Sequence, residues 1–160
     1  MSRMIKVGMA DLNICKSPDA ITTLGLGSCI GIALYDPVTK IGGLAHIMLP
    51  DSTQIRNNSN IAKFADTGIT ELVHRMTRAG ANKGRMVAKI AGGAKMFEVT
   101  GGAIGSIGDK NAQASKKKLR ELGIRLIGED TGLNYGRTVE LHCDTGEYYI
   151  KSVGKPLKII

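Results

Sequence analysis

Twenty-one glycines in a chain of 160 residues set the first limit on what this protein can become. Each glycine in a helix interior costs about 1 kcal/mol relative to alanine, which argues against a helical bundle and favours strands, turns and close backbone approaches. Aromatic residues are too few to fill a core, with no Trp and only two Phe. The interior must therefore be aliphatic, built from Ile, Leu, Val, Met and Ala. The length matches one domain, and residues 1–160 read as a single unit without repeats or linkers.

Periodicity then divides the chain. Residues 4–9, 20–26 and 30–35 read as strands, and Asp36-Pro37 reads as a turn leading to a further strand over 41–49. The polar, aperiodic segment 51–60 reads as an exposed loop. Ile61, Ala65, Ile69, Leu72 and Met76 recur at helical spacing, predicting a helix over 61–79 with Ser59 or Asn60 as cap and Gly80 as stop. A strand follows over 86–90. A second helix over 109–122 turns Ala112, Leu119 and Leu122 inward and ends at Gly123. Strands over 124–128, 138–143 and 148–153 complete the pattern, the last two joined by an Asp144-Thr145-Gly146 turn. The expected class is α+β, a mostly antiparallel sheet with two main helices.

The formal charge of +8 draws nucleic acid, anionic membrane or acidic protein alike. The densest basic run, residues 116–118 with Arg120, reads as a solvated helix face. With neither a recognition motif nor aromatic stacking residues, a nucleic-acid role is not supported. No apolar run reaches membrane-spanning length, and the N-terminus lacks the apolar core of a signal peptide. Three cysteines, an odd count without CxxC spacing, indicate neither a disulfide framework nor a zinc cluster. The expectations are a cytoplasmic, reduced setting, no metal, no cofactor and no membrane insertion; nothing demands more than a monomer.

Chemistry concentrates around Gly25-Leu-Gly27-Ser28-Cys29. The spacing is not that of a dinucleotide loop, and the following residues read as strand where that fingerprint requires a helix. Small residues beside a cysteine serve access instead: they admit a substrate closely and leave main-chain N–H groups free for an oxyanion. Cys15 lies in a polar stretch with no histidine near it in sequence. Cys143 follows His142, but strand neighbours point to opposite faces. If Pro37 and Val38 form a two-residue turn, Asp36 faces Thr39 and Cys29 lies directly opposite His46 on one face. Spacing alone leaves two readings open: a catalytic pair, or a small buried cysteine beside an ordinary core histidine. His74 reads as a surface residue; Asp51, Glu129 and Asp130 form no carboxylate pair.

TLGLGSC over residues 23–29, Asp36-Pro37, and GLAHIMLPDS over residues 43–52 together resemble the chemoreceptor glutamine deamidases, the CheD family. The resemblance continues through KFADT at 63–67, AKIAGGAKMF at 88–97 and GEDTG at 128–132. It implies an α/β sandwich related to other cysteine deamidases. It also implies a triad of Cys29 as nucleophile, His46 as base and Thr23 as third member. The implied activity converts receptor glutamine to glutamate through a thioester, with glutamyl methyl-ester hydrolysis open to the same site. Main-chain N–H groups around Gly27, Ser28 and Cys29 would hold the oxyanion. The implied partners are chemoreceptor cytoplasmic helices and a CheC-type phosphatase docking on the same surface, and no cofactor. On this view a thiolate–imidazolium pair activates Cys29, and the positive charge steers the protein to acidic receptor helices. Phe97 is either an exposed contact for the helical substrate or a core residue. The alternative function is a non-catalytic docking module that regulates the phosphatase or receptor.

Overall fold

Two runs, IGIALYD and IGGLAHI, have almost no polar face to offer water, and the computed structural model buries both along their whole length. The structure describes residues 2–96 and 106–160. The chain first lays down β1 (Met4–Val7), β2 (Asp11–Lys16), β3 (Ala20–Leu26), β4 (Ile30–Asp36) and β5 (Ile41–Ile47). Then come α1 (Ala65–Arg78), β6 (Val87–Gly92), α2 (Ile107–Glu121), β7 (Arg125–Thr131), β8 (Arg137–His142), β9 (Glu147–Lys151) and β10 (Lys158–Ile159). Among the described residues the strands form two sheets, in the orders β1-β3-β8-β9-β10 and β2-β5-β4-β6-β7. Pairing is mostly antiparallel, as expected, with β1–β3 and β6–β7 the parallel exceptions.

The layering explains the two kinds of strand. In the first sheet β8 alternates buried with half-exposed residues, because its outer face meets water. The second sheet is the middle layer. One face packs on the first sheet through Ala33, Tyr35, Leu44 and Ala91, which meet Ile21, Val139, Leu141 and Tyr148. Its other face packs on the helices through Ile32, Leu34, Ala45 and Ile90, which meet Ile69, Leu72, Met76 and Leu119. Each buried Ile, Leu, Val or Met among them contributes about 1.5–3 kcal/mol when removed from water. The α+β class stands, with the strands divided between two sheets.

The first helix starts later than its periodicity predicts. Asn60 does cap, accepting from the Ala62 N–H, but the turn it opens is a short 3-10 turn over Ile61–Lys63. The α-helix begins after Phe64 without a side-chain cap, and Ile61 is exposed. Residues 51–60 are largely exposed, and Ser52 is anchored to α1 by donating through N–H and Oγ to the Asp66 carboxylate at 3.1 and 2.6 Å.

The β4–β5 hairpin corrects the register read from sequence. Asp36 pairs with Ile41 and Gly31 with His46, so the connection is four residues, 37–40. A two-residue hairpin turn needs positive φ at its first position, which proline's ring forbids. Instead the Asp36 side chain accepts from the Val38 N–H at 3.0 Å, and the loop closes through Lys40 at φ 55°.

The cysteine reading is also corrected. Residues 11–16, polar in sequence, form β2, an edge strand that buries Leu12 on the helix side and Cys15 on the opposite face, toward the first sheet. Cys15 and Cys143 are joined as a disulfide across the two sheets, 128 residues apart in sequence. Odd count and irregular spacing concealed the pair because their approach depends entirely on sheet stacking.

Candidate active site

The site forms where the two sheets meet. His46 lies near the end of β5 on the face turned to the first sheet, and Thr23 lies on β3 in that sheet. Thr23 Oγ1 and His46 Nδ1 are 2.7 Å apart. The same Oγ1 donates its hydrogen to the Val7 carbonyl at 2.8 Å. A hydroxyl has one hydrogen, so towards the ring Thr23 can only accept. His46 therefore carries its proton on Nδ1, which leaves Nε2 as the acceptor nitrogen. Nε2 is buried and has no hydrogen-bond partner among the described residues.

Cys29 precedes β4 by one residue and is the free cysteine. Because Gly31 faces His46, Cys29 lies two residues away on the same face, diagonal to the histidine, not opposite it. Diagonal positions are roughly 7–8 Å apart in the backbone and within side-chain reach. The register shift of two preserves the face, so cysteine and histidine still share the inter-sheet layer, Cys29 through its packing and His46 through its contact with Thr23.

Burial sets the resting charges. It pushes the Cys29 thiol up, an effect only partly offset by the residue's own N–H. It pushes the His46 imidazole down. Both directions favour a neutral thiol and a neutral imidazole at rest. A neutral imidazole with Nε2 uncommitted is able to accept a proton.

The loop holding Cys29 rests on the end of β6. The Gly93 N–H donates to the Cys29 carbonyl and the Ala94 N–H to the Gly27 carbonyl, both at 2.9 Å. Gly92 sits at φ 111°, and a Cβ there would come within 2.1 Å of the Cys29 carbonyl oxygen. Only glycine permits that approach. Beneath it, buried Arg137 donates to the Asp130 carboxylate at 3.0 Å and to the Gly132 and Gly92 carbonyls at 3.0 and 3.3 Å. Burial pushes the Asp130 carboxyl up, but Lys158 and Arg137 outweigh it and hold the group below its ordinary range. Sequence reading passed over Arg137, a lone arginine opening a strand, and treated Asp130 as an isolated carboxylate. Ser28 is half-buried beside Gly27 and Cys29. Phe97 lies outside the described residues. His74 is exposed on α1, as expected. Among the described residues no group of three or more His, Cys, Asp or Glu side chains is arranged to hold a metal ion. No helix there is long and apolar enough to cross a membrane.

A thiol, an imidazole with its acceptor nitrogen uncommitted, and a hydroxyl that fixes the ring are the parts of a cysteine hydrolase site, here set between the layers of an α+β sandwich. A family model described as CheD chemotactic sensory transduction matches residues 48–152. The chain is 59% identical over 161 residues to a protein of Lachnoclostridium phytofermentans, covering 100% of both. It is 50% identical over 160 residues to one of Caldanaerobacter subterraneus subsp. tengcongensis, covering 99% of both. A relative in Moorella thermoacetica is 51% identical over 160 residues, covering 98% of this chain and 95% of its own. All three bear the name probable chemoreceptor glutamine deamidase CheD. The chain belongs to the CheD family.

Proposed function

We propose that this protein hydrolyses glutamine side-chain amides of chemoreceptors to glutamate, with Cys29 as nucleophile, His46 as base and Thr23 as the group that orients the ring. The observation that carries this reading is the Thr23–His46 hydrogen bond, which directs Nε2 to act as acceptor. Full-length similarity to proteins named for this activity supports it.

The chemistry follows from the protonation states. As Cys29 Sγ bonds to the glutamine side-chain carbonyl carbon, its proton passes to His46 Nε2. The carbonyl oxygen becomes an oxyanion, held by main-chain N–H groups at Ser28 and Cys29. The C–N bond then breaks, His46 returns its proton to the departing nitrogen, and ammonia leaves a thioester. Water gives a proton to Nε2 and attacks the thioester. The C–S bond breaks, and the thiolate regains its proton from His46 as glutamate is released. A glutamyl methyl ester reaches the same acyl intermediate and is a second substrate. Gly27 keeps the approach narrow but open, with Met96 Cγ 3.2 Å from where a Gly27 Cβ would stand. Phe97 is assigned to substrate contact on the sequence reading alone.

The protein acts as a monomer in the cytoplasm on receptor helices, and a CheC-type phosphatase competes for the same surface. The test is incubation with a receptor cytoplasmic fragment, followed by peptide mass spectrometry, with Cys29→Ala alongside. Conversion at discrete glutamines by the wild type alone is expected. No conversion, accompanied by tight receptor or phosphatase binding, would replace the enzyme with a docking module.

A further inference from the structure

Asn111 lies on α2, is fully buried, and joins two segments that belong to different parts of the site. Its Nδ2 is 2.9 Å from the Ser28 carbonyl and 2.9 Å from the Met48 carbonyl. Ser28 precedes the nucleophile, and Met48 stands two residues beyond His46. Both amide hydrogens are thus committed, one to each segment. The orientation of the side chain is dictated by its partners, since the flipped amide would set Oδ1 against two carbonyl oxygens.

The three consecutive carbonyls of the nucleophile loop are all held. Gly27 and Cys29 accept from the backbone of Ala94 and Gly93, while Ser28 accepts from Asn111. Among the described residues, Asn111 is therefore the side chain that pins this loop. In a trans peptide the C=O and the following N–H point in opposite directions. With the Ser28 carbonyl drawn inward to α2, the Cys29 N–H faces away from the helix.

We propose that Asn111 is a positioning residue for catalysis: it turns the Ser28–Cys29 peptide so that the Cys29 N–H serves as an oxyanion donor, and it holds that peptide at a set distance from His46. The inference rests on Cys29 being the nucleophile. The thiol's partial relief by its own N–H agrees with that N–H lying on the sulfur side. Close packing of α2 keeps the clamp rigid. A Cβ on Gly108 would fall 2.5 and 2.6 Å from the Gly93 and Ala94 carbonyl oxygens, so the helix start is seated directly on the segment that holds the loop.

The experiment compares Asn111→Ala with Leu119→Ala, a buried position on the same helix, measuring kcat and KM on a receptor fragment and stability in urea. Asn111→Ala should lower kcat about 10²-fold, the scale of a lost oxyanion donor or a misplaced reacting group, with KM little changed. Leu119→Ala should lose at least as much stability while retaining kcat in the folded protein. If Asn111→Ala does not fold, Asn111→Ser, which keeps one donor, carries the same comparison and should lose kcat about 10-fold. Wild-type kcat in the Asn111 variant, or a parallel loss of kcat in both helix variants, overturns the positioning role. Cys29→Ala with undiminished conversion would instead remove the nucleophile assignment itself, a failure separate from that of Asn111.

Discussion

Thr23→Val tests whether one oxygen sets the chemistry of the base. The substitution preserves the shape of the side chain and removes the hydroxyl that accepts from His46 Nδ1 and donates to the Val7 carbonyl. Thr23, His46 and Val7 are all buried, so neither group left behind finds water. At about 1–3 kcal/mol for each polar group left unpaired, stability should fall by about 2–6 kcal/mol. Thr23→Ser keeps the hydroxyl and deletes one methyl, costing about 1 kcal/mol. Activity should separate the variants further. Without its acceptor at Nδ1 the imidazole is free to place its proton on Nε2, where it cannot take the thiol proton, and kcat should fall about 10²-fold or more. Thr23→Ser should stay within a few-fold of wild type. The assay is deamidation of a receptor fragment followed by mass spectrometry, paired with urea unfolding to confirm the folded fraction. A folded Thr23→Val protein with near wild-type kcat, or a Thr23→Ser protein as inactive as the valine variant, would refute the argument.

Three further outcomes are expected. Because burial holds the His46 pKa below 6.5 and the Cys29 pKa above 9.0, this pair stabilises the fold most between those values. Stability is lost as pH falls below 6.5, where the unfolded histidine gains a proton first, and as pH rises above 9.0, where the unfolded thiol loses one first. Comparing urea midpoints of wild type and His46→Gln across pH isolates the acid side, and alkylation of Cys29 should titrate above pH 9.0. Arg85→Ala should destabilise the fold, though less than breaking a fully buried pair would, because Arg85 is partly exposed. It strands the Asp36 carboxylate, which burial pushes up and Arg85, Asn82 and Val38 together hold well below its ordinary range; chemical denaturation reads the loss. Thiol counting should find one reactive cysteine in the oxidised protein and three after reduction, with reduction costing about 2–4 kcal/mol.

Local order was legible in the sequence because local chemistry determines it. The strand expected over 20–26 has the bounds observed, and Gly80 and Gly123 take positive φ after the two helices. Contacts between distant residues leave no such local signal. Asn111 meets Ser28 across 83 positions, and Cys15 meets Cys143 across 128. Neither separation leaves a periodic trace. The hairpin arithmetic was displaced by two residues through the Pro37 turn, yet an even displacement leaves side chains on the same face. Cys29 and His46 consequently share a layer although they are not opposite. The resemblance led to Thr23, whose role in fixing the ring's tautomer requires the Val7 carbonyl, visible only once β1 is laid beside β3.

Thr23 belongs to one sheet and His46 to the other, and Cys29 stands one residue before a strand of that second sheet. Competence is therefore a property of the seam between the layers. A chain that has formed both sheets but not yet stacked them has its secondary structure without the Thr23–His46 contact, so under the proposed mechanism a loosened molecule should leave glutamine unconverted. Activity should therefore appear last in folding and vanish first in heating, before circular dichroism registers a loss of strands.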